Sequence, residues 1–317
     1  MNTRVLIVGG GIGGLAAALA CARAGCDVRL FERAAAFGEV GAGIQIGPNV
    51  VHVLHGLGLE RPLNLVAAFP ERLQVRNAVT GRELGVLPTK ERSIRLYGAP
   101  YATIHRADLH ALLLQAVQRD GAARLALGSW LASYSEGERL VSLETTEGLT
   151  VEGDVLVGAD GLWSRVREIL LNDGAPRVSG HLAYRAMLPQ QDLPIHLRSQ
   201  QVTAWLGPRL HVVQYPVRGG DWLNVVAIVH GEVGGDLHGW DHSANAVDLQ
   251  REMGSTCVAL QDLIAAVPSW RLWALCDRPP MKGPWQQAAG RVALLGDAAH
   301  PMRPYLAQGA GMAIEDA

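Results

Sequence analysis

At 317 residues, 49% of them hydrophobic, the chain can bury a large core, and its length corresponds to about two domains. A formal charge of -2 without any Lys/Arg-rich run leaves no electrostatic footprint for nucleic acid or an anionic membrane, so the expected partner is a small molecule. The four cysteines, Cys21, Cys26, Cys257 and Cys276, lack C-x-x-C spacing and have apolar flanks. That pattern points to buried thiols in a reducing compartment and away from disulfides or zinc.

In chain order, residues 4–8 read as a buried strand, 13–24 as a helix stopped by Gly25, and 28–31 as a second strand. This is a βαβ unit, with parallel strands and a right-handed crossover expected. Residues 5–22 carry no charge and approach the length of a membrane span, but five glycines between residues 9 and 14 argue against one. No other run approaches that length, so a soluble cytoplasmic protein is expected. The glycine-rich stretch 37–51 is expected to stay irregular until Asn49, where a helix through Leu57 begins. It is long enough to wrap a ligand. Two short strands flank Thr80 and Gly81 within 73–87, another covers 102–105, and a helix covers 107–119 with Asp108 in its first turn. Short strands follow near 124–127, 131–134, 140–145 and 154–157.

Between residues 176 and 287 the segments 183–188, 202–206, 211–215 and 223–229 alternate in polarity, which predicts an antiparallel sheet, with helices at 246–253 and 258–266. Six of the eight tryptophans lie here: Trp205, Trp222, Trp240, Trp270, Trp273 and Trp285. Residues 291–295 return as a buried strand, and a helix beginning near Gly309 runs uncapped to Ala317. A further C-terminal portion is therefore expected beyond this sequence.

Three glycine-rich signatures carry the chemistry. In VGGGIGG, Gly9, Gly11 and Gly14 satisfy G-x-G-x-x-G between strand and helix. The first glycine permits the tight turn, the second lets backbone approach a pyrophosphate, and the third lets helix and strand pack closely. Helix-start amides would bind the diphosphate. Glu32, at the end of the second strand, is placed for a ribose hydroxyl; alone, this motif does not separate nicotinamide from flavin dinucleotides. GADGLWSRVR follows an apolar strand, and Asp160 either meets ribose or phosphate or simply caps a helix. In GDAAHPMRPYLAQGAG, Asp297 is placed for a ribitol or ribose hydroxyl, and a helix start at Gly309, Ala310 and Gly311, if directed at a flavin's pyrimidine edge, would stabilise the reduced ring's charge; a glycine bend for packing is the plain alternative.

Taken together, the three signatures resemble those of the single-component (group A) FAD-dependent aromatic hydroxylases related to 4-hydroxybenzoate hydroxylase. The chain is most similar to the salicylate, 3-hydroxybenzoate and 6-hydroxynicotinate monooxygenases, through ERAAAFGEVGAGIQIGPNV, IHRADLHALL, RLHVVQYPVRGG and GDAAHPMRPYLAQGAGMAIEDA. The resemblance covers essentially the whole chain. It implies an α/β fold: a glutathione-reductase-like, Rossmann-type FAD-binding domain of residues 1–72, 101–175 and 288–317, with an inserted antiparallel-sheet substrate domain of residues 73–100 and 176–287. It also implies FAD contacts from Gly13, Glu32, Arg33, Gln45, Arg106, Asp160, Asp297 and the turn of Gly309, Ala310 and Gly311. Arg106 would meet the pyrophosphate; by itself it reads as a solvated arginine at a helix start.

His211 and Tyr215 match a His-x-x-x-Tyr pair which, in the hydroxybenzoate and hydroxynicotinate relatives, assists phenol deprotonation. Both fall on one face of a strand, yet about 13 Å apart when extended, so they cannot share one phenolic oxygen without a bend or relay. His211 is the expected base, since an imidazole near 6.5 accepts a proton at neutrality and a phenol near 10 seldom ionises unaided. A half-buried sheet face is the plain alternative for the pair. Gln45 matches the benzoate branch and replaces the histidine of the hydroxynicotinate branch, while Pro304 stands where the 3-hydroxybenzoate branch tends to have glutamine. His300 is expected to support the flavin loop, and Arg185, Arg209 and Arg303 are candidates for a substrate carboxylate, with ordinary surface roles as the equal alternative.

The expected activity is hydroxylation of a monohydroxylated aromatic acid of 3-hydroxybenzoate or salicylate type, using NADH or NADPH and O2 through a flavin 4a-hydroperoxide. The nicotinamide donor, lacking a second G-x-G-x-x-G, would bind transiently near Asp160; a homodimer is one assembly open to the chain, whose oligomeric state the sequence does not disclose. A 6-hydroxynicotinate-type hydroxylase, a flavin reductase and a non-catalytic flavin module are the alternatives. The chain has no W-x-W-x-I-P stretch of the kind associated with flavin halogenases.

Overall fold

The computed structural model describes residues 2–38, 41–121, 123–231, 242–244 (backbone only) and 246–317. Trp240 and part of the glycine-rich 37–51 stretch lie outside the described residues.

The first sheet grows from the run at Arg4–Val8, whose side chains from Val5 onward are buried on both faces, as parallel strands covered on two sides require. Arg4–Val8 pairs in parallel with Asp27–Phe31 on one side and Val155–Gly158 on the other. The full order is Ala288–Ala289, Val292–Leu294, Val155–Gly158, Arg4–Val8, Asp27–Phe31, Ala123–Ala126. One face packs under the helices Ile12–Arg23 and Arg106–Asp120, where Leu15, Leu19, Leu109 and Leu113 meet Val28 and Leu30. The opposite face is closed by a three-stranded sheet and the helix Arg165–Leu171, through Leu131, Leu143 and Val166 against Leu6 and Leu156.

The second sheet has eight strands: His242–Ala244, Trp270–Asp277, Arg177–Pro189, Trp222–His230, Leu210–Val217, Val202–Gly207, Arg72–Asn77 and Glu83–Pro88. It is antiparallel except where Val202–Gly207 runs parallel to Arg72–Asn77, a departure from the wholly antiparallel sheet expected. Its apolar residues divide by parity. Leu182, Tyr184, Val212, Val225 and Ala227 pack under the helices Ala246–Met253 and Val258–Ala265 together with Trp205 and Trp270. Ala183, Val226, Ile228 and Trp273 form the other face, which looks toward the first sheet's loops.

Several elements differ from expectation. The stretch taken as irregular contains a strand, Gly43–Ile46, paired antiparallel with Ala102–His105, and the following helix starts at Pro48. The helices Glu60–Val66 and Glu91–Tyr97 and the strands Thr150–Gly153 and Trp270–Asp277 were not anticipated. All four cysteines are free thiols, half-buried and not fully enclosed. Among the described residues no helix is long and apolar enough to cross a membrane.

Candidate active site

Two adjoining cavities, of about 280 and 370 Å³, meet at Gly11, Arg106, Ala159, Gly161 and Asp297. The elongated space runs from the first strand-to-helix turn to the open face of the eight-stranded sheet.

The turn after Arg4–Val8 is built by close approach. Gly9 has φ +107°, and a Cβ on it would lie 2.3 Å from the Ala159 carbonyl oxygen; one on Gly14 would lie 1.9 Å from the Gly9 oxygen. Gly14 is thus a packing residue and does not line either cavity, whereas Gly9, Gly11 and Gly13 do. A Cβ on Gly11 would meet nothing within 4 Å, because it would project into the cleft. The helix it begins, Ile12–Arg23, has no side-chain cap and no acidic residue in its first turn, which leaves its amide donors and positive dipole end for an anion. Glu32 lines the second cavity but spends both carboxylate oxygens on backbone amides, of Gly10 at 2.6 Å and Ala34 at 2.8 Å. His110, unremarked in the sequence, fixes the same loop through Nε2 and the Gly10 oxygen, 2.8 Å apart. Arg33 stacks over Trp130, 5.4 Å from the ring centroid, at the far end of this cavity.

Asp160 combines both sequence readings. Its carboxylate accepts from the amides of Arg165 at 2.7 Å and Val166 at 3.1 Å and from Ser164 Oγ, which caps the helix Arg165–Leu171, while its residue also lines the second cavity. Burial pushes its carboxyl above the usual range against these hydrogen bonds. From the same helix, buried Arg167 donates to the carbonyls of Ala298 at 3.1 Å and Ala299 at 2.7 Å. Arg167 and Arg278 both pair with Asp173, at 2.6 and 3.1 Å, so the second signature is tied to the third.

Asp297 borders both cavities. Its surface opens to the cleft, and the surrounding walls push its carboxyl upward against the attraction of Arg106 and His300. Arg106, at the start of Arg106–Asp120, lines the junction itself. His300 pairs with Asp316, which also accepts the Gly296 amide, so it supports the loop as anticipated. Gly309 and Ala310 line the cavity, but Gly311 faces helix Pro48–Gly56, where an added Cβ would sit 2.8 Å from Val50 Cγ2.

The sheet side of the first cavity presents Val213, Tyr215, Val226, Ile228 and Arg185. Tyr101 donates to Gln45 Oε1, and Gln45 and Tyr215 both line the cavity, so the glutamine lies in the company of two phenols. Burial drives both tyrosine hydroxyls well above their ordinary value. Tyr101 had no signal in the sequence: only the pairing of Gly43–Ile46 with Ala102–His105 brings it beside Gln45. His211 shares the strand face of Val213 and Tyr215 but lies beyond the lining, edge-on to Tyr305 with ring centroids 5.5 Å apart. Burial lowers its pKa, which keeps the imidazole neutral at pH 7. Of the three arginines considered for a carboxylate, Arg303 pairs with Asp277 at 3.1 Å and Arg209 occupies an exposed turn with φ 55°. Only Arg185 borders the cavity.

The glycine turn, the cleft-facing Cβ position of Gly11 and the carboxylate of Asp297, which opens to both cavities, fit a long dinucleotide with its diphosphate at the helix start. These features define a flavoprotein of the two-sheet type. Residues 2–230 match the family described as FAD binding domain. The chain is 40% identical over 322 residues to 3-hydroxybenzoate 6-hydroxylase 1 of Aquipseudomonas alcaligenes, covering 100% of this chain and 79% of that protein. It is 36% identical to 6-hydroxynicotinate 3-monooxygenase of Bordetella bronchiseptica, covering 99% and 80%. A salicylate hydroxylase substrate complex superposes with a TM-score of 0.83 at 28% identity, covering 99% of this chain and 77% of that one. The chain belongs to the FAD-dependent aromatic hydroxylases.

Proposed function

We propose that this hydroxylase acts on a monohydroxylated aromatic acid of the 3-hydroxybenzoate or salicylate type. The observation that carries the reading is the lining of the first cavity: an apolar wall of Val213, Val226 and Ile228 with the polar side chains of Tyr215, Gln45 and Arg185 at its border, and His211 beyond the lining on the same strand face as Tyr215. A flat ring fits the apolar wall, and its polar substituents require the polar border. The names of the relatives in the 3-hydroxybenzoate branch support the same substrate class. The 6-hydroxynicotinate relatives keep a hydroxylated pyridine acid as the second reading, against which Gln45 weighs.

FAD, when bound, supplies transfer of electrons from NADH or NADPH to O2 and insertion of one oxygen atom into the ring. Gly9, Gly11 and Gly13 with the helix start would hold its diphosphate, Glu32 and Arg33 its adenosine end, and Arg106, Asp160 and Asp297 its middle. Gln45, Gly309 and Ala310 would border its ring, with Gly14 and Gly311 acting through packing. His211 accepts the phenolic proton; an ionised phenol feeds electron density into the ring and favours attack ortho or para to oxygen. Tyr215 fixes the opposite end, in keeping with the spacing of about 13 Å along the strand. The apolar wall excludes water from the reacting centre. We assign residues 73–100 and 176–287 to substrate binding and the remainder to the flavin, place nicotinamide transiently near Asp160, and place the protein in the cytoplasm, which the four free thiols support.

The test is a panel of hydroxybenzoates and hydroxypyridine carboxylates with the FAD-loaded protein, scoring NADH oxidation and product mass. One hydroxylated acid formed in step with NADH consumption is the expected result. NADH oxidation that yields only hydrogen peroxide with every acid rejects the reading.

A further inference from the structure

A separate surface hollow of about 450 Å³, bordered by Arg177, Asp277, Pro301 and Arg303, lies beyond the His211 end of the first cavity. The two spaces share their walls. Along Arg177–Pro189, Arg185 borders the cavity and Arg177 the hollow, with His181 between them. A bulge between Val178 and His181, with Gly180 at φ +73°, kinks the strand on that stretch. Along the facing loop, Met302 and Pro304 border the cavity, Pro301 and Arg303 border the hollow, and Tyr305 borders neither.

A packed cluster of rings keeps the spaces apart. Tyr305 reaches from the loop onto the sheet, where its hydroxyl shares a hydrogen bond with His181 Nδ1. Its ring stands edge-on to His181 and to His211, with centroids 5.7 and 5.5 Å away. His230, opposite His181 on the neighbouring strand, stacks on that imidazole at 4.4 Å. Tyr305 also packs against the apolar face that carries Val226 and Ile228. On the hollow's side Arg303 pairs with Asp277 at 3.1 Å, so the loop is fastened to the sheet at two points. Rings in such contact leave no room for added carbons, and forcing carbons between them costs more than their burial returns.

We propose that Tyr305, held in place by His181, is the end wall that limits the cavity to single-ring substrates, and that removing it joins the cavity to the hollow. This rests on the aromatic-acid reading above. A single ring lies along Val213 and Ile228 and stops short of Tyr305, whereas a second ring fused beside the phenol runs into it. Tyr305 therefore determines specificity from the flavin-side loop, and His181 is its positioning residue on the sheet.

The test uses the FAD-loaded protein and reads ligand binding from the visible flavin spectrum, without turnover. The probes are two matched pairs, 3-hydroxybenzoate with 4-hydroxy-2-naphthoate and salicylate with 1-hydroxy-2-naphthoate, each naphthoate carrying its second ring beside the hydroxyl. Wild type should bind the preferred single-ring acid about 100-fold more tightly than its fused-ring partner. Tyr305→Ala should bind that naphthoate at least about tenfold more tightly than wild type does, while the single-ring acid gains nothing. His181→Ala, which lies outside the flavin-side loop, should move the same ratio in the same direction by a smaller factor, and it carries the test if Tyr305→Ala fails to hold FAD. Wild type that binds a naphthoate as tightly as its single-ring partner, or FAD-loaded variants that keep the wild-type selectivity, overturn the wall alone. Wild type that holds FAD yet responds to no acid of the panel overturns the wall and the aromatic-acid reading together.

Discussion

The imidazole of His300 lies 2.7 Å from the carboxylate of Asp316, joining the loop after Val292–Leu294 to the helix Gly309–Asp316. Hydrogen bonding to Asp316 raises His300 above its ordinary 6.5, against burial, which lowers it. Burial pushes Asp316 up, but hydrogen bonds from His300 and the Gly296 amide outweigh it and hold the carboxyl below 3.8. A raised imidazole contributes stability that is complete below pH 6.5 and lost as pH rises through the folded value. The depressed carboxyl contributes stability present above 3.8 and lost as pH falls through its folded value. His300→Gln, which keeps a donor but no titrating charge, should lower the melting temperature by about 2 °C near pH 6. The difference should shrink as pH is raised; a constant offset across pH 6 to 9 would show that the charge is irrelevant.

Gly9 and Gly11 sit two residues apart and should fail in different ways. Gly9→Ala places a Cβ 2.3 Å from a backbone oxygen at a positive φ, so the apoprotein itself should lose stability, by about 3 kcal/mol or more. Gly11→Ala meets no protein atom within 4 Å and should leave the apoprotein's melting unchanged while weakening FAD retention at least about tenfold. Denaturant melts of apoprotein, with FAD titrations, separate the two.

Asp173 holds Arg167 and Arg278, whose side chains are 2% and 3% exposed. Asp173→Asn should destabilise the protein by about 3 kcal/mol, since it strands two enclosed cations around one neutral amide. A loss below about 1 kcal/mol in a chemical melt would mean that the carbonyls of Ala298, Ala299 and Gly174 suffice to hold them.

His211 has its pKa lowered by burial. Used as a base it must be neutral, so kcat/KM should be flat at neutral pH and fall on the acid side, below the ordinary imidazole value of 6.5. His211→Ala should lower hydroxylation about 100-fold, abolish that acid limb and leave FAD affinity intact. Retention of the limb in the variant would assign it to another group.

Much of the flavin half was legible in sequence because its determinants are local. A glycine turn between an apolar run and a helix carries its own spacing, and Arg4–Val8, Ile12–Arg23 and Asp27–Phe31 fall where the pattern places them. Gly43–Ile46 was not legible: four residues flanked by glycine carry too little periodicity, and their strand exists only because Ala102–His105, more than fifty residues later, pairs with them. Trp270–Asp277 was hidden for a different reason. Trp270 faces the helices and Trp273 the cleft, so apolar residues occupy both faces and the alternation that marks a half-exposed strand is lost. Arg185, Arg209 and Arg303 were indistinguishable as letters, since their separation depends on which strand face and which loop carry them. Gln45 was anticipated at the cofactor, but its hydrogen bond from Tyr101 beside Tyr215 in the cavity wall needed three segments of chain to converge.

Odd and even positions along Leu210–Val217 answer to different pressures, because Val213 and Tyr215 border the cleft whereas Val212 lies beneath the covering helices. The neighbouring strand obeys the same rule, with Arg185 on the cleft side and Tyr184 on the other. A lineage can therefore exchange one ring substrate for another by drifting at alternate residues of a few adjoining strands, while the intervening residues keep the scaffold folded throughout.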